Sequence, residues 1–209
     1  MSKNITSQTL QRLPVYLNYL MSLPEKRKNI SATAIADALG LNDVQVRKDL
    51  ASVSRGGRPR TGYITAELIS DIGHFLGFEN HDSVIVAGIG NFGRAMLGSD
   101  SFEDYGFDVV CGFDCNENLV GTSVNGKSIL HISEMKNFCL SKNIKTGIIT
   151  VPEESAQEVC DIMTESGIKY ILNFASVHLN VPKNVIVHNE NLSINLAMIV
   201  RCNFSENHS

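Results

Sequence analysis

A chain of 209 residues, 43% of them hydrophobic, has material for one large buried core or two small ones. No apolar run approaches the roughly 18 residues of a membrane span, and the opening Met-Ser-Lys-Asn-Ile-Thr does not read as a signal peptide. The net charge of −4 is uneven: residues 1–78 hold ten Lys/Arg against six Asp/Glu, and residues 79–209 eight against sixteen. An acidic protein with a basic first third predicts two domains, of which only the first meets a polyanion.

The chain opens with Leu10, Leu13, Leu17 and Leu20/Met21 at helical spacing over residues 8–22. Pro14 predicts a kink there, or a start near residue 13. Ser31 is the expected N-cap of a second helix with Ile35, Ala38 and Leu39 on its apolar stripe, and Gly40 the expected C-cap. Asn42 then caps a third helix, Asp43–Val53. There Val46, Leu50 and Val53 face inward and Gln45, Arg47, Lys48 and Ser52 face out. Two short helices joined by a glycine turn, the second polar and basic on its outer face, describe a helix-turn-helix. The alternative is a small helical domain with a solvated charged face. The next stretch favours DNA: Ser54-Arg-Gly-Gly-Arg-Pro-Arg-Thr-Gly-Tyr63 cannot build a core but suits a hairpin wing. Arg55, Arg58, Arg60 and Tyr63 on such a wing are expected to face DNA, the arginines reaching phosphates or a narrow minor groove. Residues 65–76 predict a helix that leads into a Gly77–Asp82 link.

Val84–Val86 predicts a strand that runs into Gly88-Ile89-Gly90-Asn91-Phe92-Gly93, with a helix continuing through Leu97. This G-x-G-x-x-G stands where a dinucleotide fold needs it. Gly88 permits the tight turn, Gly90 the approach of a pyrophosphate, and Gly93 close helix–strand packing. A second strand, Phe107–Phe113, ends on Asp114, where a carboxylate would hold an adenosine ribose. No Lys or Arg follows until Lys127, so NAD(H) is expected rather than NADP(H). Cys111 and Cys115 straddle that strand's end without C-x-x-C spacing. With Cys139, Cys160 and Cys202 they are scattered and odd in number, so reduced cytoplasmic thiols are expected, and no metal site.

Asn125-Gly126 is a turn signal, and Ser133 is the expected cap of a helix through Leu140. Thr146–Val151 predicts a strand stopped at Pro152, followed by a helix from Glu153 to Ser166 and strands at Tyr170–Phe174 and Val185–His188. Strands alternating with helices predict a doubly wound parallel sheet with its ligand at the strands' carboxyl ends. Thr150-Val151-Pro152 and Asn173-Phe174-Ala175 fall at such ends and are candidates to line the nucleotide pocket. None of His131, His178 and His188 shows a carboxylate partner nearby in sequence to suggest a catalytic relay. The tail places Leu192, Leu196, Ile199/Val200 and Phe204 on one helical face, which predicts packing on its own domain or on another subunit. The domains expected are thus 1–78, 79–189 and a dimerisation helix in 190–209.

Taken together, several segments resemble the Rex family of redox-sensing transcriptional repressors over nearly the whole chain. They are Gln45-Val-Arg-Lys-Asp-Leu50, the wing ending Thr61-Gly-Tyr63, Gly88 through Leu97, Gly112-Phe-Asp114, Thr150-Val-Pro152 and Ile171-Leu-Asn-Phe-Ala175. The resemblance implies a homodimer with an N-terminal winged helix, a Rossmann domain and a C-terminal helix exchanged between subunits. It also implies binding of double-stranded DNA at an AT-rich inverted repeat when NADH is scarce, and release when NADH binds. Three positions depart from the family. The resemblance implies a polar set linked to NADH sensing, made of an arginine in the first helix, a tyrosine after the Rossmann glycines and an aspartate before the last helix, with the arginine–aspartate pair near the nicotinamide end. Asn18, Ser99 and Asn191 stand at those places here. The wing also carries Arg58-Pro-Arg60 where glycine is more usual. The rival functions are an NAD-dependent oxidoreductase and a module for another nucleotide such as coenzyme A. Against the oxidoreductase, the chain has no Tyr-x-x-x-Lys pair and no room for a substrate domain.

Overall fold

Capping side chains set the start of the first three helices of the chain. The structure, a computed structural model, describes residues 5–24, 26–54, 56–58 and 61–198. It divides into two units, residues 1–80 and 81–209. In the first unit the Thr6 hydroxyl accepts the Thr9 N–H and caps α1 (Ser7–Met21). Pro14 sits inside this helix without ending it. The buried side chains of Leu13, Tyr16, Leu17 and Leu20 hold both flanking turns against the core, which outweighs the one backbone bond that proline removes. Of the expected stripe, Leu10 and Met21 are exposed, and Thr9 and Tyr16 take the inner face.

After β1 (Asn29–Ile30), Ser31 accepts the Ala34 N–H and caps α2 (Ala32–Leu39), which ends on Gly40 at φ +64°. The inner face is Ala32, Ile35 and Ala36, and Ala38 turns out to solvent. Asn42 accepts from both Val44 and Gln45 and caps α3 (Asp43–Val53). Strand β2 (Tyr63–Ile64) pairs antiparallel with β1 and leads into α4 (Thr65–Leu76), which ends on Gly77. Gly62, at φ +75°, lies so close to the Ile30 carbonyl that a Cβ there would collide with it. The chain entering β2 is thereby held close against β1. This unit is a winged helix-turn-helix.

The second unit is a sheet of seven strands, built from β3 (Asp82–Ala87), β4 (Phe107–Asp114), β5 (Ser123–Val124), β6 (Lys127–His131), β7 (Thr146–Ile149), β8 (Tyr170–Asn173) and β9 (Ile186–Asn189). Their order is β5-β6-β4-β3-β7-β8-β9. All neighbours are parallel except the β5–β6 hairpin, whose two turn residues Asn125 and Gly126 both adopt positive φ. Leaving out β5, this is the strand order of a Rossmann fold, and it reverses between β3 and β7. The crossover helices are α5 (Asn91–Leu97), α6 (Met135–Lys142) and α7 (Glu153–Glu165). The turn before α6 is capped by His131 and Glu134 rather than by Ser133, because the His131 ring accepts the Ser133 N–H. Two apolar clusters cover the two faces of the sheet, one around Phe113 and Ile149 and one around Val86 and Leu97. Cys111, Cys139 and Cys160 lie in the first of these, and burial pushes each thiol up to about 11, so they behave as apolar filling. Residues 192–198 are helical.

Candidate functional site

The nucleotide-binding turn is made by glycines with different reasons to be glycine. Gly88 has φ +90°, and a Cβ there would press on Val151. A Cβ on Gly93 would strike the Gly88 carbonyl and the Thr150 hydroxyl. At Gly90 the same test meets nothing within 4 Å. Packing therefore explains Gly88 and Gly93, whereas Gly90 faces open space at the N-terminus of α5, where backbone N–H groups lack intrahelical partners. Thr150 braces the turn from β7: its hydroxyl donates to the Gly88 carbonyl at 2.7 Å and its N–H to the Ala87 carbonyl at 2.9 Å.

Asp114 ends β4 beside this turn. Its Oδ2 accepts the Ile89 N–H at 2.6 Å and its Oδ1 the Asn116 N–H at 2.8 Å. Each oxygen keeps a lone pair for a further donor such as a ribose hydroxyl. The open space at Gly90 and the acceptor capacity of Asp114 fit a dinucleotide laid across the end of the sheet.

On the other side of the switch point lies a cleft of about 280 Å³ lined by Phe92, Thr150, Val151 and Phe174. Phe92 meets Phe174 edge to face, centroids 4.8 Å apart. Ser176, Glu190, Leu192 and Ser193, which the sequence reading did not assign to the pocket, complete its wall together with Asn191, singled out by the resemblance. Glu190 is the wall's ionisable residue, and its Oε1 pairs with His188 Nε2 at 3.0 Å. That corrects the expectation that His188 lacks a carboxylate nearby. Asn191 accepts the Ile194 N–H and donates to the Ser176 hydroxyl, so it caps the helix 192–198. Ser99 bonds Ser101 through its hydroxyl.

Three expected lining residues, Asn173, Ala175 and Pro152, and Ile89 of the glycine turn do not line this cleft. Asn173 is fully buried, donating to the Ala175 and Val177 carbonyls and to Asn189, and accepting the Ala175 N–H. It is the clamp that shapes the β8 exit. Ala175 packs in the apolar cluster. Ile89 is buried in the other cluster and offers only its backbone N–H, which Asp114 takes. Pro152 is exposed at the N-cap of α7.

In the first unit, α3 carries Gln45, Arg47 and Lys48 exposed and Ser52 half-buried. Arg47 pairs with Asp43 at 3.1 Å one turn back, and the Ser52 hydroxyl turns inward to the Asp49 carbonyl. On the wing, Arg58 and Gly62 exchange backbone hydrogen bonds that close its tip. Tyr63, expected to face DNA, is only 8% exposed and packs in the core of its unit, because it alternates with Ile64 and takes the buried side of β2. Arg55 and Arg60 lie outside the described residues.

The sequence reading missed Asp49. It is 2% exposed and accepts from Arg12 Nε at 2.7 Å, Arg12 Nη2 at 3.1 Å, Tyr16 Oη at 2.8 Å, Gln45 Nε2 at 2.9 Å and Thr9 Oγ1 at 3.0 Å. Burial raises its carboxyl, but the bonds from Arg12, Tyr16, Gln45 and Thr9 outweigh that and hold it below the usual carboxylate range. Burial, and then the bond to Asp49, push the Tyr16 phenol up to about 12. Among the described residues no group of three His, Cys, Asp or Glu is placed to hold a metal, and no helix is long and apolar enough to cross a membrane.

Comparison with known proteins places both units. Residues 79–177 match the family model "CoA binding domain", and residues 4–51 the model "Putative DNA-binding protein N-terminus". The redox-sensing transcriptional repressor Rex of Porphyromonas gingivalis is 36% identical over 93% of this chain and 90% of its own length. The Rex protein of Bacteroides fragilis is also 36% identical, over 98% and 94%. The crystal structure of RSP in complex with beta-NAD+ and operator DNA superposes with a TM-score of 0.88 at 32% identity, covering 98% of this chain and 95% of that one. RSP in complex with beta-NADH gives 0.85 at 32%, covering 98% and 97%.

Proposed function

This chain belongs to the Rex family of redox-sensing transcriptional repressors, and on that premise we propose that it binds operator DNA when NADH is low and releases it when NADH binds. The observation that carries the reading is the open space at Gly90 beside the fixed carboxylate of Asp114, in a chain whose first unit is a winged helix. The functional domains are residues 1–78 for DNA, 79–189 for NAD(H) and 190–209 for dimerisation.

In this reading the pyrophosphate lies over Gly88–Gly93, with Gly90 giving it room and the backbone of Ile89, Asn91 and Phe92 close by. Asp114 takes the adenosine ribose. The nicotinamide half extends toward Phe92, Thr150, Val151 and Phe174, with Pro152, Asn173 and Ala175 shaping that wall from behind. The bound dinucleotide supplies a ring whose charge differs by one between NAD+ and NADH. RSP has been crystallised with NAD+ and operator DNA together, and with NADH, a pairing that supports reduction as the release signal here. A ligand shifts such an equilibrium only by its differential affinity for the DNA-bound and free states.

The DNA is double-stranded, an AT-rich inverted repeat read by a homodimer. Gln45, Arg47 and Lys48 of α3 meet the major groove, Ser52 supports that face, and Arg58, with Arg55 and Arg60, follows the backbone or minor groove. Tyr63 anchors the wing from inside. The apolar Leu192, Ile194, Leu196 and Met198 are all exposed on the C-terminal helix, which fits burial against a second copy. The protein works in the cytoplasm. Calorimetry with NADH, NADPH and coenzyme A tests the nucleotide. NADH binding tightest supports the reading, and coenzyme A binding tightest would replace it with the other nucleotide module.

A further inference from the structure

The two oxygens of Asp49 receive bonds from four side chains, and one of these is Gln45 on the exposed face of α3. Arg12 meets the carboxylate with two nitrogens, which keeps it in its ionised, acceptor-only form. An acceptor-only partner settles the orientation of an amide. Gln45 meets Asp49 through Nε2 at 2.9 Å, and the flipped amide would set two oxygens against each other. The Gln45 carbonyl oxygen is thereby turned away from Asp49. The cleft beside it, about 290 Å³, is lined by Arg12, Lys48 and Ser52 among others.

Resting on the reading of α3 as the recognition helix, we propose that Gln45 presents its carbonyl oxygen to the major groove and selects a base that donates there, adenine N6 or cytosine N4. Asp49 is the positioning residue that forbids the flipped amide. Guanine O6 and thymine O4 only accept, so at that position on the contacted strand they meet an oxygen with an oxygen. Gln45 left free would tolerate either, because its two ends exchange by rotation about one bond. The buried carboxylate thus sets a base preference without touching DNA.

The test uses the full chain and single-atom changes in DNA. Selection from random duplexes identifies the operator, and comparison of the parent with Gln45→Ala identifies the base pair that Gln45 reads. At that pair, adenine is replaced by purine, or cytosine by 2-pyrimidinone, which deletes only the amino group. The expected result is a loss of about tenfold for the parent and none beyond experimental scatter for Gln45→Ala. Asp49→Asn, which can donate, should bring guanine or thymine at that position to within about threefold of the preferred base. Should Asp49→Asn fail to fold, the Gln45→Ala comparison decides alone, since that side chain is exposed. Coupling of Gln45 only to an acceptor, such as guanine O6 or adenine N7, would overturn the proposal, as would the lack of any coupled position. No duplex retained at all would overturn the DNA reading itself, and this inference with it.

Discussion

The Asp114 carboxylate accepts the Ile89 backbone N–H at 2.6 Å, tying the end of β4 to the glycine turn after β3. Sequence spacing predicts a ribose contact for this acid, and in the structure it holds the turn. Asp114→Ala removes both. The expected outcome is weaker NADH binding with a smaller preference over NADPH, together with a stability loss of about 1–3 kcal/mol for the N–H left without its acceptor. Calorimetry with both nucleotides and urea unfolding measure the two effects separately. Equal affinity of the parent for NADH and NADPH would remove the ribose role from Asp114.

Gly90 and Gly93 separate ligand space from packing space. Gly90→Val points into the open region, so the protein should fold with near-parental thermal stability and lose NADH binding. Gly93→Ala collides with the Gly88 carbonyl and with Thr150, so it should lower stability by more than about 1 kcal/mol whether or not ligand is added. Thermal melts with and without NADH distinguish the two patterns.

Asp49 holds α1 to α3. Asp49→Ala leaves the half-buried Arg12 guanidinium and the buried Tyr16 hydroxyl without their partner, a loss of about 1–3 kcal/mol. The pH dependence follows from the shifts. The folded-state carboxyl titrates below its unfolded value of about 4, so its stabilisation is present above that value and disappears as pH falls through the lower folded value. The Tyr16 phenol is raised to about 12 from about 10, so its contribution is complete below about 10 and disappears as pH climbs toward 12. Urea unfolding across pH should show a plateau between these limits and a steeper acid loss in the parent than in Asp49→Ala.

Much of this was legible in the sequence because short-range chemistry decided it. Ser31, Asn42, Gly40 and Gly77 cap helices as their residue types dictate, and Gly88-x-Gly90-x-x-Gly93 marks the turn. Asp49 was not legible. It sits in a run of polar helix residues where an acid is usually solvated, and its partners Thr9, Arg12 and Tyr16 are 33–40 residues away. The available signal was their spacing, which puts all three near the Leu13 face of α1. Tyr63 was misplaced because aromatic residues suit both a DNA surface and a core. Asn173 and Ala175 were placed correctly at a strand end, but a strand end does not say which way a side chain turns.

The resemblance suggested that neutral Asn191 deprives the nicotinamide end of charge. The cleft wall carries a charge one residue earlier, at Glu190. A carboxylate near the ring favours the cationic NAD+. Glu190→Gln should therefore move the affinity ratio toward NADH, by roughly tenfold for a partly exposed carboxylate. An unchanged ratio, with both cofactors still bound, would mean that Glu190 does not face the ring.

Reduction of the bound dinucleotide is expected to release DNA. The direct measurement is fluorescence anisotropy of the protein bound to a labelled AT-rich inverted repeat, titrated in parallel with NADH and with NAD+ at fixed salt. The expected result is a fall to the free-DNA value with NADH, at concentrations where NAD+ leaves the complex intact. Anisotropy that stays at the bound value when NADH saturates the protein would contradict the claim.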